Sequence, residues 1–188
     1  MSSDAAKSFE EAHERHEHGH EGPRWVPIAA ATLAVLAAIA GYFGNLRSTQ
    51  ALVEKNDAIV STTKASDTWN QYQAGRVKYY IATTALAQGV NAGGSAAELK
   101  QTAAGEKAKG PGLAEKAHAF EEDAARHNER SERLLAQHET IEVAATLFEV
   151  AIVLVSITAL VGSRVLPISA GVAAVLGLGF FLAGLTAK

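Results

Sequence analysis

Three groups of side chains in this 188-residue chain have the types and spacing to do chemistry. The first is the N-terminal run EEAHERHEHGHEG. Written on a helix, His13, His16, Glu17 and His20 share one face, with His18 beside them, and imidazoles with a carboxylate suit Zn, Ni or Cu. The same run is acidic, poor in apolar residues and interrupted by Gly19, which is also the composition of a solvated, disordered tail; a metal role for His13, His16, His18 and His20 is the weaker of the two readings. The second group lies in apolar surroundings. At 100° per residue His138, Glu142, Ala145, Glu149 and Ser156 fall near one line, and Glu149 stands about 12 Å beyond Ile141 along a helix. A carboxylate at that depth of a bilayer needs a proton, a hydrogen bond or water. Around an oligomer axis it would line a cation or proton path, whereas a hydrogen bond to Tyr42 or Asn45 would make it a packing group, the reading preferred here. The third group is an aromatic stripe, Trp69, Tyr72 and Tyr80, with Arg76 set into it, which stacking between helices explains without a ligand.

Catalysis finds little support. The chain has no cysteine, which excludes a disulfide, a thiolate zinc site and a cysteine nucleophile. Nucleophile elbow, phosphate loop, HExxH and EF-hand patterns are all missing, so no enzyme and no cofactor beyond a tail-bound Zn, Ni or Cu is expected. The formal net charge of -3 leaves no basic footprint for nucleic acid.

The elements that must hold these groups are legible from where the charges fall. Trp25 to Leu46 and Val165 to Ala187 carry none, and each is long enough to cross a bilayer at about 20 apolar residues. Val143 to Ser163 is equally apolar apart from Glu149. The first apolar run is too long for a signal peptide and lacks a cleavage site, so it reads as an anchor. Between the first two spans, residues 47–140 carry twelve basic and twelve acidic residues, a solvated segment without net charge. The mean hydropathy of +0.04 averages these two populations.

The expected fold is an all-α integral membrane protein. A tail (1–24) precedes transmembrane helix 1 (25–46), a long antiparallel helical-hairpin stalk (47–140), transmembrane helix 2 (141–163) and transmembrane helix 3 (165–187). Within the stalk, Gly89, Gly93 and Gly94 mark a turn. Ser95 and Glu98 form a capping box opening a short helix over 95–109, and Gly110, Pro111 and Gly112 are expected to close it. Ala51, Ala58, Ala65, Tyr72, Tyr79 and Leu86 recur every seven residues, facing Phe120, Ala124, His127, Ser131, Leu134, His138 and Ile141 on the return, the coiled-coil period. That seam is thin, because small or polar residues fill half of it. Ala37 with Gly41, Ala173 with Gly177 and Gly179 with Ala183 are small residues four apart, the spacing of closely packed membrane helices. Both features point to a homo-oligomer.

The stretch Ala65-Ser66-Asp67-Thr68-Trp69-Asn70-Gln71-Tyr72-Gln73-Ala74, followed by Lys78, resembles the motif of the domain-of-unknown-function 4337 family of bacterial membrane proteins. The His-rich tail, the step Gln137-His138-Glu139 and the run Phe148-Glu149-Val150-Ala151-Ile152 are similar to the family as well. Asp67, Trp69, Tyr72, Gln73, Ala74 and Lys78 carry the motif. Gly75, Glu149 and the loop around Arg164 depart from it, where the family has lysine, glutamine and a more basic loop. The resemblance implies the topology above and brings no activity. The expected role is a non-enzymatic scaffold or adaptor in the bacterial inner membrane, its partners the lipid bilayer, further copies and an unidentified protein at the stalk. The tail and Arg164 loop are expected in the cytoplasm and the stalk outside. An ion-translocating assembly with Glu149 on its path is the alternative, and a metal sensor or buffer at the His tail a weaker one.

Overall fold

The computed structural model describes residues 25–89, 95–161 and 163–186. They form three helices: α1 (Trp25–Gln88), α2 (Ala96–Val161) and α3 (Val165–Thr186). Each contains a stretch long and apolar enough to cross a membrane, with mean hydropathy of 2.0, 2.3 and 2.2. Two prolines sit where they cost little: Pro27 and Pro167 fall in the first turns of α1 and α3, where a backbone N–H has no partner to lose. Gly89 ends α1 at φ 67°, a left-handed conformation glycine adopts without strain, and its N–H bonds the Leu86 carbonyl. The capping box opens α2: Glu98 accepts from the Ser95 N–H at 2.6 Å, and the Ser95 hydroxyl accepts from the Glu98 N–H at 3.3 Å.

One expectation fails. The short helix over 95–109 does not stop at Gly110-Pro111-Gly112; α2 runs through all three without interruption. The reason lies in the buried stripe. Ala103, Gly110 and Ala117 stand seven apart on the side of α2 turned to α1, and an unbroken helix keeps them in phase. Gly110 also lets α2 approach Tyr72, since a Cβ there would stand 3.4 Å from the Tyr72 ring. Pro111 lies on the exposed side, so its missing N–H and its crowding of the preceding turn do not fall on the seam.

The chain divides into two compact units. The first comprises the described residues of 1–46 and 136–188. Its core is Val26, Leu33 and Ala40 from α1, Ile141, Ala144, Phe148, Ala151 and Val155 from α2, and Ala170 and Ala173 from α3. Phe148 and Ile141 are the largest fully buried side chains, and glycines make room for them. A Cβ on Gly177 would stand 3.0 Å from Phe148, and one on Gly184 would stand 2.6 Å from Ile141. Thus Gly177 admits α3 to α2 as its spacing from Ala173 suggests, whereas Gly41 and Gly179 face open space.

The second unit spans Arg47–Leu135. Ser131 donates to the Ala51 carbonyl at 2.9 Å, Lys55 to Asn128 at 2.8 Å, Ser61 to Asp123 at 3.0 Å and Trp69 to Glu121 at 2.8 Å. Numbers fall along α2 as they rise along α1, so the two segments pack antiparallel. The seam follows two interleaved series of seven on α1, Ala51, Ala58 and Ala65 with Ser61, Thr68, Gly75 and Ala82, and on α2 it runs through Ala103, Ala117, Ala124 and Ser131 at multiples of seven. Every one of these is small.

Candidate functional site: an aromatic groove, a polar seam and an acidic stripe

In the second unit the aromatic stripe is built by three side chains one turn apart on α1. Arg76 lies between Tyr72 and Tyr80, its guanidinium 5.8 Å and 5.5 Å from the two ring centres, and it donates to the Tyr80 hydroxyl at 2.9 Å. Those contacts, the bond to Tyr80 first, raise the Arg76 pKa above its ordinary value. With Tyr79, Glu106, Gly110 and Pro111 the group borders a groove of about 230 Å³. Trp69 takes no part in it. Its Nε1–H donates to Glu121 Oε1 at 2.8 Å, and its ring meets Tyr72 and His118 edge-on at 5.5 Å and 5.0 Å. Accepting from Trp69, and then from His118, holds the Glu121 carboxyl below the usual carboxylate range. Of the other motif residues, Asp67, Gln73, Ala74 and Lys78 are exposed, while Tyr72 is half-buried.

Nearer the start of this unit the seam carries a polar cluster whose sequence signal is only partial. His127 stands at a seam position, but its partners come from elsewhere. Its Nδ1 lies 2.6 Å from Glu54 Oε2, and its Nε2 lies 3.8 Å from Asp123 Oδ2. A carboxylate only accepts, so Nδ1 carries the hydrogen. Asp123 also accepts from Arg126 and from Ser61, which together hold its pKa below the ordinary value, Arg126 having the larger effect. Ser61 therefore has a weak base beside it and no imidazole on its hydroxyl, an arrangement that ties the helices together and does not activate a nucleophile. Ser61 was findable, standing three residues after Ala58 and seven before Thr68; Glu54 and Asp123 flank the seam and look like any other surface acid.

In the first unit the expected line of His138, Glu142, Glu149 and Ser156 splits. His138 is half-buried and donates from Nδ1 to the Gly44 carbonyl at 3.0 Å, with Nε2 3.6 Å from Glu142. Glu142, Glu149 and Ser156 are exposed. α1 reaches His138 at Gly44, whereas α3 packs on α2 through Gly177 and Gly184, against Phe148 and Ile141 on the side away from the stripe, and leaves Glu142, Glu149 and Ser156 outside. Ser156 and Thr146 bond their own helix, donating to the carbonyls of Ile152 and Glu142 at 2.8 Å and 3.0 Å. Glu149 makes no hydrogen bond or ion pair with the described residues and borders a shallow groove with Thr146, Val150, Val153 and Leu154.

His13, His16, His18 and His20 lie outside the described residues. Among the described residues no group of three His, Asp or Glu side chains is placed to hold a metal ion.

Neither a curated protein nor a solved structure matches the chain. The pattern of the domain-of-unknown-function 4337 family (DUF4337) matches residues 23–187, from just before α1 to beyond α3, and the chain belongs to that family.

Proposed function

We propose that the chain is a non-enzymatic, homo-oligomeric scaffold or adaptor of the bacterial inner membrane. In this reading α1, the C-terminal part of α2 and α3 cross the bilayer, and residues 47–140 form an extramembrane, coiled-coil-like helical hairpin that presents a binding surface. The tail and the Arg164 loop face the cytoplasm, with the hairpin on the other side.

One observation carries it. The seam of the second unit buries alanine, serine, threonine and glycine, whereas Leu52, Ile59 and Tyr80 of α1 are 63%, 56% and 52% exposed, and Val53, Val60 and Ile81 lie beside them. The first two pairs stand seven residues apart and the third three heptads further on, with Ser66, Asp67, Gln73 and Ala74 at the positions between, so the outer face of α1 carries two apolar patches in heptad phase. In water a helix buries its largest apolar side chains first, at roughly 1.5–3 kcal/mol for a Val, Leu or Ile. A helix pair that leaves them outside awaits another helix. Native mass measurement in a gentle detergent tests the reading: an oligomer is expected, and a monomer refutes it.

The unpartnered Glu149 carboxyl favours one second reading, an ion-translocating assembly with this group on its path. Purified protein in liposomes would then pass ions, and flux that is absent, or unchanged by Glu149→Gln, refutes it.

A further inference from the structure

Along the membrane-crossing part of α2, the side chains Glu142, Thr146, Glu149, Val153, Ser156 and Leu160 follow one another at intervals of four, three, four, three and four residues, and every one is exposed. That is the spacing of a helix seam. Ile141, Ala144, Phe148, Ala151 and Val155, buried among α1 and α3, take the opposite side of the same helix. We propose that this stripe is where a second copy of the chain packs, α2 against α2 in parallel, with Glu149 at the contact. The proposal rests on the homo-oligomer reading and adds to it the face that is used.

The chemistry selects the occupant. Lipid tails offer Val153 and Leu160 all they need but leave the Glu149 carboxyl without a partner at a depth where that is expensive. The chain does not cure this by itself: Trp25 to Leu46 and Val165 to Thr186 contain no charged residue, and Glu149 bonds none of the described residues. A lipid headgroup lies too far along the helix, since Glu149 is two turns, about 10 Å, beyond Glu142. A copy inserted with the same topology brings its own Glu149 to the same depth, along with Thr146 one turn away. Two carboxyls sharing one proton form a donor and an acceptor, and the Thr146 hydroxyl oxygen, whose hydrogen is already used within its helix, still accepts. The stripe is thus complementary to itself, as contact around a two-fold axis requires. Val153 and Leu160, 55% and 86% exposed, supply the apolar contacts between the polar levels.

The chain has no cysteine, so a single one reports position without background. Val153→Cys should give an oxidative cross-linked dimer in membranes, while Val175→Cys, on an exposed face of α3, should give none. Glu149→Gln, which keeps both a donor and an acceptor, should retain the Val153→Cys cross-link. Glu149→Leu, which is at ease in lipid alone, should lose it. Cross-linking at Val175 as strong as at Val153, or a Val153→Cys cross-link indifferent to Glu149→Leu, overturns the proposal. Native mass separates the two levels of the argument. An oligomer whose Val153→Cys form stays uncross-linked refutes this face and leaves the oligomer standing, and a monomer refutes both.

Discussion

Two glycines of α3 invite the same substitution and should answer with different signs. A Cβ added to Gly184 would stand 2.6 Å from Ile141 Cγ1 and 3.3 Å from both the Gln137 carbonyl oxygen and the Ile141 nitrogen. The first atom ends a side chain that is fully buried and has nowhere to swing, and the other two are backbone, so relief requires moving α3 away from α2. Overpacking of that kind costs about 1–3 kcal/mol. A Cβ on Gly179 meets nothing within 4 Å. Both substitutions, Gly184→Ala and Gly179→Ala, gain the same helix-propensity difference, about 1 kcal/mol in water. That gain cancels when one variant is compared with the other, and the steric cost of about 1–3 kcal/mol remains. For a chain of this size the difference corresponds to a separation in melting temperature on the order of 5 °C. Thermal unfolding followed by circular dichroism in one detergent measures it. Gly179→Ala should melt at or above the parent and Gly184→Ala below it. Coincident melting curves would refute the close approach of α3 to Ile141, and with it the account of why Glu149 is left on the outer side of α2.

Further predictions concern the second unit and the topology. Pro111→Ala restores a helical N–H at an exposed position and should stabilise the chain to denaturant by up to about 3 kcal/mol if α2 is continuous there; an unchanged midpoint would restore the break at Gly110-Pro111-Gly112. Glu121 and Asp123 both have pKa values below the ordinary ones, so the stability they add is present above the unfolded carboxylate range and is lost as pH falls through their lower folded values. Denaturant midpoints should fall with acid through that window, and Trp69→Phe, which removes the strongest influence on Glu121, should flatten the fall; an unaltered pH profile would contradict the Trp69–Glu121 bond. A fluorescent protein fused after Lys188 should stay dark if the C-terminus lies outside the cytoplasm, and bright fluorescence reverses the proposed orientation.

How much of this was legible in the sequence depends on what each signal measures. Long apolar runs report a capacity to cross a membrane, and they locate one such stretch in each of the three helices because hydropathy is local. The capping box is equally local: Ser95 and Glu98 need only each other. Gly110-Pro111-Gly112 misleads for the converse reason. Its breaker signal is a local propensity, and what overrides it is the phase of Ala103 and Ala117 against a partner helix some forty residues away in sequence. Glu121 and Asp123 were invisible for a related reason, since nothing in their own neighbourhoods announces Trp69 or Ser61. The line from His138 to Ser156 is a sound statement about one helix in isolation. It could not anticipate that α3 would cover one arc of α2, draw the covered surface away from Glu149 and leave His138 on the Gly44 carbonyl.

In the proposed topology, with the first unit in lipid and the second in water, the two units solve opposite problems with the same residue types. In lipid, burying apolar surface gains nothing against the surrounding tails, so helices associate through close fit, and the first unit seats Phe148 on Gly177 and Ile141 against Gly184. In water the same economy of small residues is a weakness: Ala51, Ala58 and Ala65 bring α1 and α2 together, but each removes little apolar surface from solvent. Each unit then has one face left incomplete in the terms of its own solvent. For the second unit it is the exposed Leu52, Ile59 and Tyr80, too apolar for water. For the first it is Glu149, too polar for lipid. The proposed arrival of further copies of the chain would satisfy both, and two unrelated chemical mismatches that share one remedy are a stronger argument for assembly than either alone.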